Sequence, residues 1–284
     1  MNVTPNPDEV AEADRRFRTW MRLNLDRAAA HFDLTVTGEP AFGWRDRSIS
    51  APADSPHGAR WLRVVSEQIE WARGHGWAGN ADANEVVGVP KPRVLGVHEW
   101  DEGDWRRQRA EVMTLVPGTP CSSTDTAPSG LDPSDTWWGQ LHQALQRLAE
   151  TATDRVSTDQ EKVDRRVRAA FGEGTEVRIR RWETVHGDLH WANLFDPLAV
   201  VDWELWGRGP AGTDAATLYC YSLTNPRLAR KVLDHFPLLD TPDGHRAQLY
   251  VAARLLHRAE LGDHPGLTRP LNELAQRLLR RPSR

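Results

Sequence analysis

The chain has 284 residues, a formal net charge of −4 at pH 7 and 39% hydrophobic residues. A chain of this length forms one or two domains and can bury a hydrophobic core. The acidic balance argues against general nucleic-acid binding. No apolar run approaches the roughly 18 residues of a transmembrane helix, which argues against a membrane protein.

Two further features bear on the compartment. The two cysteines, Cys121 and Cys220, are far apart, so neither a disulfide framework nor a cysteine-rich metal site is expected. The first residues, 1–9, are acidic and lack the apolar core of a signal peptide. We therefore expect a cytoplasmic protein.

The first part of the chain predicts a helix followed by strands. Asn6-Pro7-Asp8-Glu9 has the residues of a helix start: Asn6 is a capping residue, and Pro7 suits the first helical position. A glycine-containing segment, 38–48, follows the first strand, and 80–87 is a short helical candidate. Alternating apolar residues predict strands at 32–37, 58–65, 93–100 and 105–116.

The second part is mostly helical. A loop rich in Ser, Thr and Pro is predicted at 121–135. Trp138, Leu141, Leu145 and Leu148 then form the apolar stripe of a buried helix face. A strand is predicted at 176–182. Further helices are predicted around 163–171 and at 215–223, 226–236, 245–261 and 270–280.

One stretch combines the residues that phosphoryl transfer requires. Asp188 lies five positions before Asn193 in His-Gly-Asp-Leu-His-Trp-Ala-Asn, and Asp202 ends the apolar run 198–201. Asp196-Pro197 is a turn pair between two short apolar runs, so a hairpin would bring Asn193 and Asp202 to the same end of the sheet. A kinase site needs one carboxylate to orient the attacking hydroxyl, and an amide and a second carboxylate to hold Mg²⁺.

This pattern resembles the aminoglycoside phosphotransferase family, which includes choline-kinase-like enzymes. The resemblance rests on H-G-D-x-x-x-x-N, the following Asp202-Trp203-Glu204, and Gly209-Pro210-Ala211-Gly212-Thr213-Asp214-Ala215; its clear part covers 185–218. It implies an α+β fold of the bilobal protein-kinase type. Residues 1–117 would form a small N-lobe with a five-stranded antiparallel sheet, and 118–284 a larger, mostly helical C-lobe with the metal and substrate sites.

The resemblance also implies a Mg²⁺-dependent phosphotransferase that uses ATP or GTP. Asp188 would be the catalytic residue, and Asn193 and Asp202 would be the Mg²⁺ ligands. His186 would brace the loop through hydrogen bonds, and Asp214 would cap its helix or brace the site.

Further nucleotide contacts follow from the same resemblance. The family carries a phosphate-binding lysine on the strand at 58–65, where this chain has Arg63. Either Arg63 does the lysine's work, or the nucleotide site is impaired and the protein is a kinase-like binding module. A helix Glu pairs with the strand cation in the family; Glu85 is the best match, and Glu67 and Glu70 compete with it.

The glycine-containing loop and the interlobe segment supply the other candidates. Arg47 and Ser48 are candidates for phosphate contacts, although an ordinary hairpin loop is an equally good interpretation. The segment 111–120 resembles the family's hinge. Met113 and Leu115 would line the base pocket, and backbone groups of Thr114 to Val116 would bind the base edge.

The phosphate acceptor is less constrained. Trp191, Trp203 and Trp206 flank the motif and could form a stacking surface, or could simply be core residues. Glu260 could face a cationic group. We expect an antibiotic acceptor, either an aminoglycoside or a nucleoside- or sugar-containing compound, with resistance as the outcome. A primary metabolite such as a sugar or amino alcohol is the alternative.

Three classes of function therefore remain: a small-molecule kinase acting as a monomer or homodimer, a catalytically weak nucleotide-binding module, and a metal-dependent hydrolase. The last would use His186, Asp188 and His190 as a metal site, but the sequence shows no further ligand cluster at a typical spacing.

Overall fold

The computed structural model describes residues 6–280. Residues 1–5, part of the segment used above to argue against a signal peptide, lie outside the described residues, as do 281–284. Within 6–280 no helix combines the length and the apolar character needed to cross a bilayer.

The described chain contains helices and strands in a mixed order. The helices are α1 Pro7–His31, α2 His75–Asp82, α3 Asp135–Ala149, α4 Gln160–Phe171, α5 Thr213–Tyr221, α6 Pro226–His235, α7 Pro242–Glu260 and α8 Thr268–Leu279. The strands are β1 Thr35–Val36, β2 Ala41–Phe42, β3 Ser48–Ser55, β4 Gly58–Gln68, β5 Val94–Glu102, β6 Arg106–Thr114, β7 Thr119–Pro120, β8 Trp182–Val185, β9 Phe195–Asp196 and β10 Gly207–Pro210.

Capping side chains start most of the long helices. The Asn6 side chain accepts from the Asp8 backbone N–H at 3.2 Å, as the sequence predicted, and Asn225 accepts from Leu228. Ser134, Asp159 and Thr241 do the same at the starts of α3, α4 and α7. Each cap satisfies a backbone donor that the first helical turn leaves without a partner.

The chain forms two compact units. The first takes the described chain as far as Asn84 and then Pro92–Val116. The second takes Glu85–Lys91 and the chain from Pro117 onward. The predicted N-lobe, 1–117, thus differs from the first unit at Pro117 and in the short segment Glu85–Lys91, which contains Glu85.

The first unit is built on a six-stranded antiparallel sheet with the order β1-β3-β4-β6-β5, and β2 also pairs with β3. The prediction of five strands is wrong by one, because 32–42 contains two short strands. Helix α1 covers one face of the sheet. The hydrophobic core of this unit lies between α1 and the sheet. Its buried residues in α1 are Met21, Leu25, Ala28 and Ala29, and those in the strands are Ile49, Ala51, Ala53, Leu62, Val64, Trp100 and Ala110.

In the second unit α7 is the central helix and packs against α4, α5 and α8. Two short antiparallel pairs, β8 with β10 and β7 with β9, hold the loops that carry the motif. A tryptophan cluster of Trp137, Trp138 and Trp191 lies in the core, and the Trp138 and Trp191 rings meet edge-to-face at 5.9 Å.

The predicted strand at 176–182 is mostly wrong. Val177 and Ile179 are buried and alternate as in a strand, but their backbone groups bond a side chain: Gln160 Nε2 donates to the Val177 carbonyl, and Gln160 Oε1 accepts from the Ile179 N–H. The strand proper begins only at Trp182. One glutamine amide thus replaces the neighbouring strand that a sheet would require.

Gly118 shows how closely β7 and β9 approach. It has φ of +86°, and a Cβ at this position would lie 2.2 Å from the Asp196 carbonyl oxygen. We expect Gly118→Ala to reduce the free energy of unfolding by about 2 kcal/mol or more, because both the backbone conformation and the contact are then strained. Urea denaturation measures this.

The matched control is Gly139→Ala in α3, where an added Cβ has no atom within 4 Å. That variant should be unchanged or stabilised by up to about 1 kcal/mol. Equal stability of Gly118→Ala and the unmodified chain would contradict the close approach.

Candidate active site

The His-Gly-Asp loop leaves β8 through a tight turn at Gly187. This residue has φ of +85°, and a Cβ there would lie 2.6 Å from the Leu205 carbonyl oxygen and 2.7 Å from Ser157 Oγ. A side chain is therefore excluded both by backbone conformation and by space. The turn brings the Gly187 backbone against the backbone at Leu205, three residues after Asp202.

Asp214, in the first turn of α5, holds this turn in place. One carboxylate oxygen accepts from the His186 N–H at 2.7 Å and the other from the Gly187 N–H at 2.9 Å. Burial raises the pKa of Asp214 to about 7, although the two N–H bonds favour the charged form. The carboxylate joins α5 to two consecutive peptide groups of the loop.

His186 connects the two parts of the motif. Its Nε2 lies 3.0 Å from the Val201 carbonyl oxygen, and the Asp188 N–H donates to its Nδ1 at 3.3 Å. Since Nδ1 accepts, Nε2 carries the proton and the ring is neutral. Burial lowers the pKa of His186 to about 4, which agrees with this tautomer. The imidazole thus ties Asp188 to the residue before Asp202.

Asp188 carries a partly exposed carboxylate beside a buried cation. Its side chain is 22% exposed, and Oδ1 lies 3.4 Å from Nη2 of Arg254. Burial alone would raise the pKa of Asp188, but the nearby positive charges, Arg254 first, more than offset it and hold the pKa below its usual value. Asp188 is therefore ionised at neutral pH and able to accept a hydrogen bond from a hydroxyl.

Arg254 lies in α7 and is itself fixed by the loop. It donates to the Gly187 carbonyl oxygen and, through Nη2, to Thr217 Oγ1 at 3.2 Å. The motif does not identify this residue. The one available signal is an arginine inside an apolar run, Leu-Tyr-Val-Ala-Ala-Arg-Leu-Leu at 249–256, because a buried arginine needs a carboxylate partner.

Asn193 and Asp202 are linked through the backbone. Leu194 and Val200 form an antiparallel bridge, and the Val201 N–H donates to the Asn193 carbonyl oxygen at 3.0 Å. The antiparallel pairing on either side of Asp196-Pro197 therefore sets Asn193 opposite Val201, the residue before Asp202. Asp202 is exposed and has the left-handed conformation, with φ of 64°, which aspartate tolerates better than most residues.

The hydrogen bonds of Asn193 suit a cation ligand. Nδ2 lies 3.0 Å from the Asp188 carbonyl oxygen and 3.1 Å from His190 Nε2. Because Nδ2 serves two acceptors, Oδ1 is the amide atom left for a metal ion. An amide oxygen and an exposed carboxylate are hard oxygen ligands of the kind Mg²⁺ takes when phosphates and water complete its shell.

The hydrolase alternative fits less well. Both ring nitrogens of His186 are engaged by backbone groups, so neither is available to a metal. Within residues 6–280 no group of three or more His, Cys, Asp or Glu side chains is arranged to hold a metal ion. A zinc site built from His186, Asp188 and His190 is therefore not supported.

A second carboxylate, Asp125, lies near Asp188. His190 Nε2 is 3.6 Å from Asp125 Oδ1 and 3.8 Å from Asp188 Oδ2. Asp125 Oδ2 is also 2.8 Å from His264 Nε2 and 3.5 Å from Arg258 Nη2. The sequence indicated only a loop here. The structure instead makes Asp125 the point where that loop, the His-Gly-Asp loop, α7 and the segment before α8 meet.

The three tryptophans proposed as an acceptor surface lie in the core. Trp191 is 0%, Trp203 1% and Trp206 1% exposed. Trp191 Nε1 donates to Ser222 Oγ, and Trp203 Nε1 donates to the Val200 carbonyl oxygen. Their rings are therefore covered by protein, and the core interpretation replaces the stacking surface. Glu260 is 73% exposed and lies 3.5 Å from His257 Nδ1.

In the first unit Arg63 lies on β4 opposite Glu111 of β6, and its Nη1 is 3.6 Å from Glu111 Oε2. Glu111 was not among the expected partners. Glu67 instead pairs with Arg47 at 3.2 Å. Glu85 is exposed and is the last residue of the one-turn 3-10 helix Ala83–Glu85; it belongs to the second unit, whereas Ala83 and Asn84 belong to the first.

The remaining nucleotide candidates occupy strand ends of the first unit. The hydroxyl of Ser48 lies against the Gly43 backbone, which leaves no room for a side chain at Gly43. Met113 is 5% exposed, and Thr114 ends β6 with its N–H bonded to the Arg93 carbonyl oxygen. Leu115 is 43% exposed and Val116 half-buried.

No family model matches this sequence, and no curated protein matches it. Solved structures do match in three dimensions. An amicoumacin kinase in complex with AMP-PNP, Ca²⁺ and Ami is 15% identical, covers 96% of each chain and has a TM-score of 0.57. A spectinomycin phosphotransferase in complex with ADP and spectinomycin is 10% identical, covers 91% of this chain and 97% of its own, and has a TM-score of 0.53.

A third match is a putative fructosamine-3-kinase from Haemophilus somnus, 11% identical, covering 88% of this chain and 96% of its own, with a TM-score of 0.51. The fold is that of small-molecule kinases. The resemblance carried by the motif is thus confirmed at the level of the fold.

Because His186 is buried and neutral, we expect the free energy of unfolding to depend on pH. The unfolded chain takes up a proton at this histidine near pH 6.5, whereas the folded chain does so only near pH 4. Stability should therefore fall as the pH drops through this window, by on the order of 3 kcal/mol from His186 alone. In His186→Gln this contribution is absent.

Urea denaturation of both proteins between about pH 7 and about pH 4 measures the difference. Asp214 is common to both, so its own titration cancels. The stability difference in favour of the histidine protein should shrink as the pH falls; a difference independent of pH would rule out a buried neutral imidazole.

Proposed function

We propose that this protein is a kinase that transfers the γ-phosphoryl group of a nucleoside triphosphate to a hydroxyl group of a small molecule. The observation that carries the proposal is the braced loop. An ionised Asp188 is held beside Arg254, and the backbone of Asn193 is bonded to the residue that precedes Asp202. The likeness of the fold to small-molecule kinases supports it.

In the proposed step the acceptor hydroxyl oxygen attacks the γ-phosphorus. A new P–O bond forms, the bond from the γ-phosphorus to the β,γ-bridging oxygen breaks, and the nucleoside diphosphate leaves with that oxygen. Asp188 accepts the hydroxyl proton by hydrogen bond and then as a base. Because neighbouring charges keep Asp188 ionised, its carboxylate can orient the hydroxyl before it takes up the proton.

Asn193 and Asp202 would hold Mg²⁺, which neutralises phosphate charge when bound. Arg63 is the proposed phosphate contact of the first unit, with Arg47 and Ser48 as further candidates and 113–116 as the base-binding segment. The alternative of an impaired binding module is weakened because Asp188, Asn193, His186 and Asp214 form one connected set of hydrogen bonds.

The acceptor is proposed by class. Two of the matched structures are named as kinases of the antibiotics amicoumacin and spectinomycin, and the third as a putative fructosamine kinase. We propose an antibiotic or a sugar-containing metabolite, with drug resistance as the outcome in the first case. A panel of aminoglycosides, nucleoside antibiotics, sugars and amino alcohols with Mg²⁺ and ATP or GTP tests this, and a product one phosphate heavier identifies the acceptor.

Asp188→Asn should reduce turnover by a factor of about 10² to 10⁴, because the amide can no longer accept the proton. The same substitution at Asp132, an exposed residue paired with Arg227 and Lys231, is the control and should leave turnover unchanged. Nucleotide consumption in the presence of an acceptor is measured. Unchanged turnover in Asp188→Asn would remove Asp188 from the mechanism.

Asp202→Asn should raise the Mg²⁺ concentration needed for half-maximal activity by about tenfold or more, because a charged ligand becomes neutral. The measurement is a Mg²⁺ titration at saturating nucleotide. Glu204→Gln, two residues further on, is the matched control and should follow the unmodified protein. A Mg²⁺ requirement identical in all three proteins would mean that Asp202 does not hold the ion.

A further inference from the structure

The sheet of the first unit has one apolar face and one charged face. Leu62, Val64 and Ala110 point to the core under α1. Because side chains alternate along a strand, their neighbours lie on the opposite face. Several charged residues lie on that face, and four of them, Arg63, Glu111, Arg109 and Glu99, are what we call the charge ladder.

The members of the charge ladder alternate in sign across three strands. Arg63 of β4 is opposite Glu111 of β6, and Arg109 of β6 is opposite Glu99 of β5. Arg109 Nε is 2.8 Å from Glu111 Oε1, and Arg109 Nη1 is 2.5 Å from Glu99 Oε1. Two cross-strand pairs are thus joined into one network by Arg109.

Glu111 is the buried centre of this network. Its side chain is 1% exposed and also accepts from Asn80 Nδ2 of α2 at 2.9 Å. Trp77 Nε1 of α2 donates to Glu99 at 2.9 Å. Helix α2 is therefore fixed to the carboxylates of the ladder, and Glu111 cannot turn away without breaking bonds to Arg109 and Asn80.

A buried charge network contributes little to stability compared with apolar residues of the same size. The apolar face shows that this sheet can bury such residues. The arginine at the end of the ladder, Arg63, has a side chain 13% exposed, against 8% for Arg109, and its contact with Glu111 is longer, 3.6 Å against 2.8 Å. The ladder thus ends at β4 in a guanidinium that is only loosely paired, beside a carboxylate that Arg109 and Asn80 hold in place.

We propose that Glu111 is the positioning residue for Arg63, and that the pair binds the phosphates of the nucleoside triphosphate. This inference rests on the proposed function. Glu111 restricts the rotamers of a long side chain before the ligand arrives, which lowers the entropy lost on binding. The acidic partner of the phosphate-binding cation is thus supplied by the neighbouring strand β6, and Glu85 is not required for it.

The test is the binding of two probes, the Mg²⁺ complex of ATP and the nucleoside adenosine, with the GTP complex and guanosine in parallel. Glu111→Gln should weaken triphosphate binding about tenfold and leave nucleoside binding unchanged, because only the phosphates meet Arg63. Glu99→Gln is the matched control, since its contact is with Arg109 and Trp77. It should change neither probe.

The double variant separates positioning from general damage to the sheet. If Glu111 acts through Arg63, Glu111→Gln should have no further effect on triphosphate binding once Arg63→Met is present. An equal effect in both backgrounds, or weaker binding of both probes, overturns the inference. So does unchanged triphosphate binding in Arg63→Met, a variant that leaves the buried Glu111–Arg109 bond intact.

Failure of the proposed function looks different. If the unmodified protein binds no triphosphate, the kinase proposal and this inference both fail. If it binds triphosphate and transfers phosphate while Arg63→Met does so equally well, only the assignment of Arg63 and Glu111 is wrong.

Discussion

The site of the second unit depends on one carboxylate and two backbone N–H groups. Asp214 accepts from His186 and Gly187, and Arg254 donates to the carbonyl oxygen of the same Gly187. Consecutive peptide groups of the loop are therefore held from two helices, α5 and α7. The backbone from which the Asp188 side chain projects is therefore held in one position.

The same arrangement solves an electrostatic problem. Burial disfavours the charged form of a carboxylate and raises its pKa, as it does for Asp214, whose pKa is raised to about 7. The pKa of Asp188 is lowered instead, because the positive charge of Arg254 lies beside its carboxylate and more than offsets the effect of burial. Asp188 in the loop and Asp214 in α5 thus have opposite pKa shifts, and Asp214 is suited to bracing the backbone whereas Asp188 is suited to remaining charged.

The sequence predicted the parts of this architecture whose residues are close along the chain. Asn193 and Asp202 lie within one short segment, so their spacing and a turn pair were enough to predict the bridge that sets Asn193 opposite the residue before Asp202. Asn6 and the apolar stripe of α3 are equally local signals, and they located a helix start and a buried face.

Partners that come from distant segments could not be predicted in this way. Arg254, Asp125 and Glu111 reach their partners only through tertiary packing, and no spacing rule connects them. The tryptophans near the motif failed for another reason: an aromatic ring suits a core and a binding surface equally well, and only burial decides between them. Gln160, which bonds the segment 177–179 in place of a strand, shows that side chains also override backbone patterns.

The short segment Glu85–Lys91 has a consequence for dividing the protein. It belongs to the second unit, where Val86 and Val89 are buried and the Pro90 carbonyl oxygen accepts from the Val200 N–H at 2.8 Å, yet the chain on both sides of it belongs to the first. Dividing the chain after Val116 therefore cannot yield two intact units. The carboxyl-terminal fragment would lack Val86 and Val89 from its core, and in the amino-terminal fragment these two valines would be exposed to solvent. The two units are interleaved along the sequence, so a chimaera that replaces the second unit has to replace Glu85–Lys91 with it.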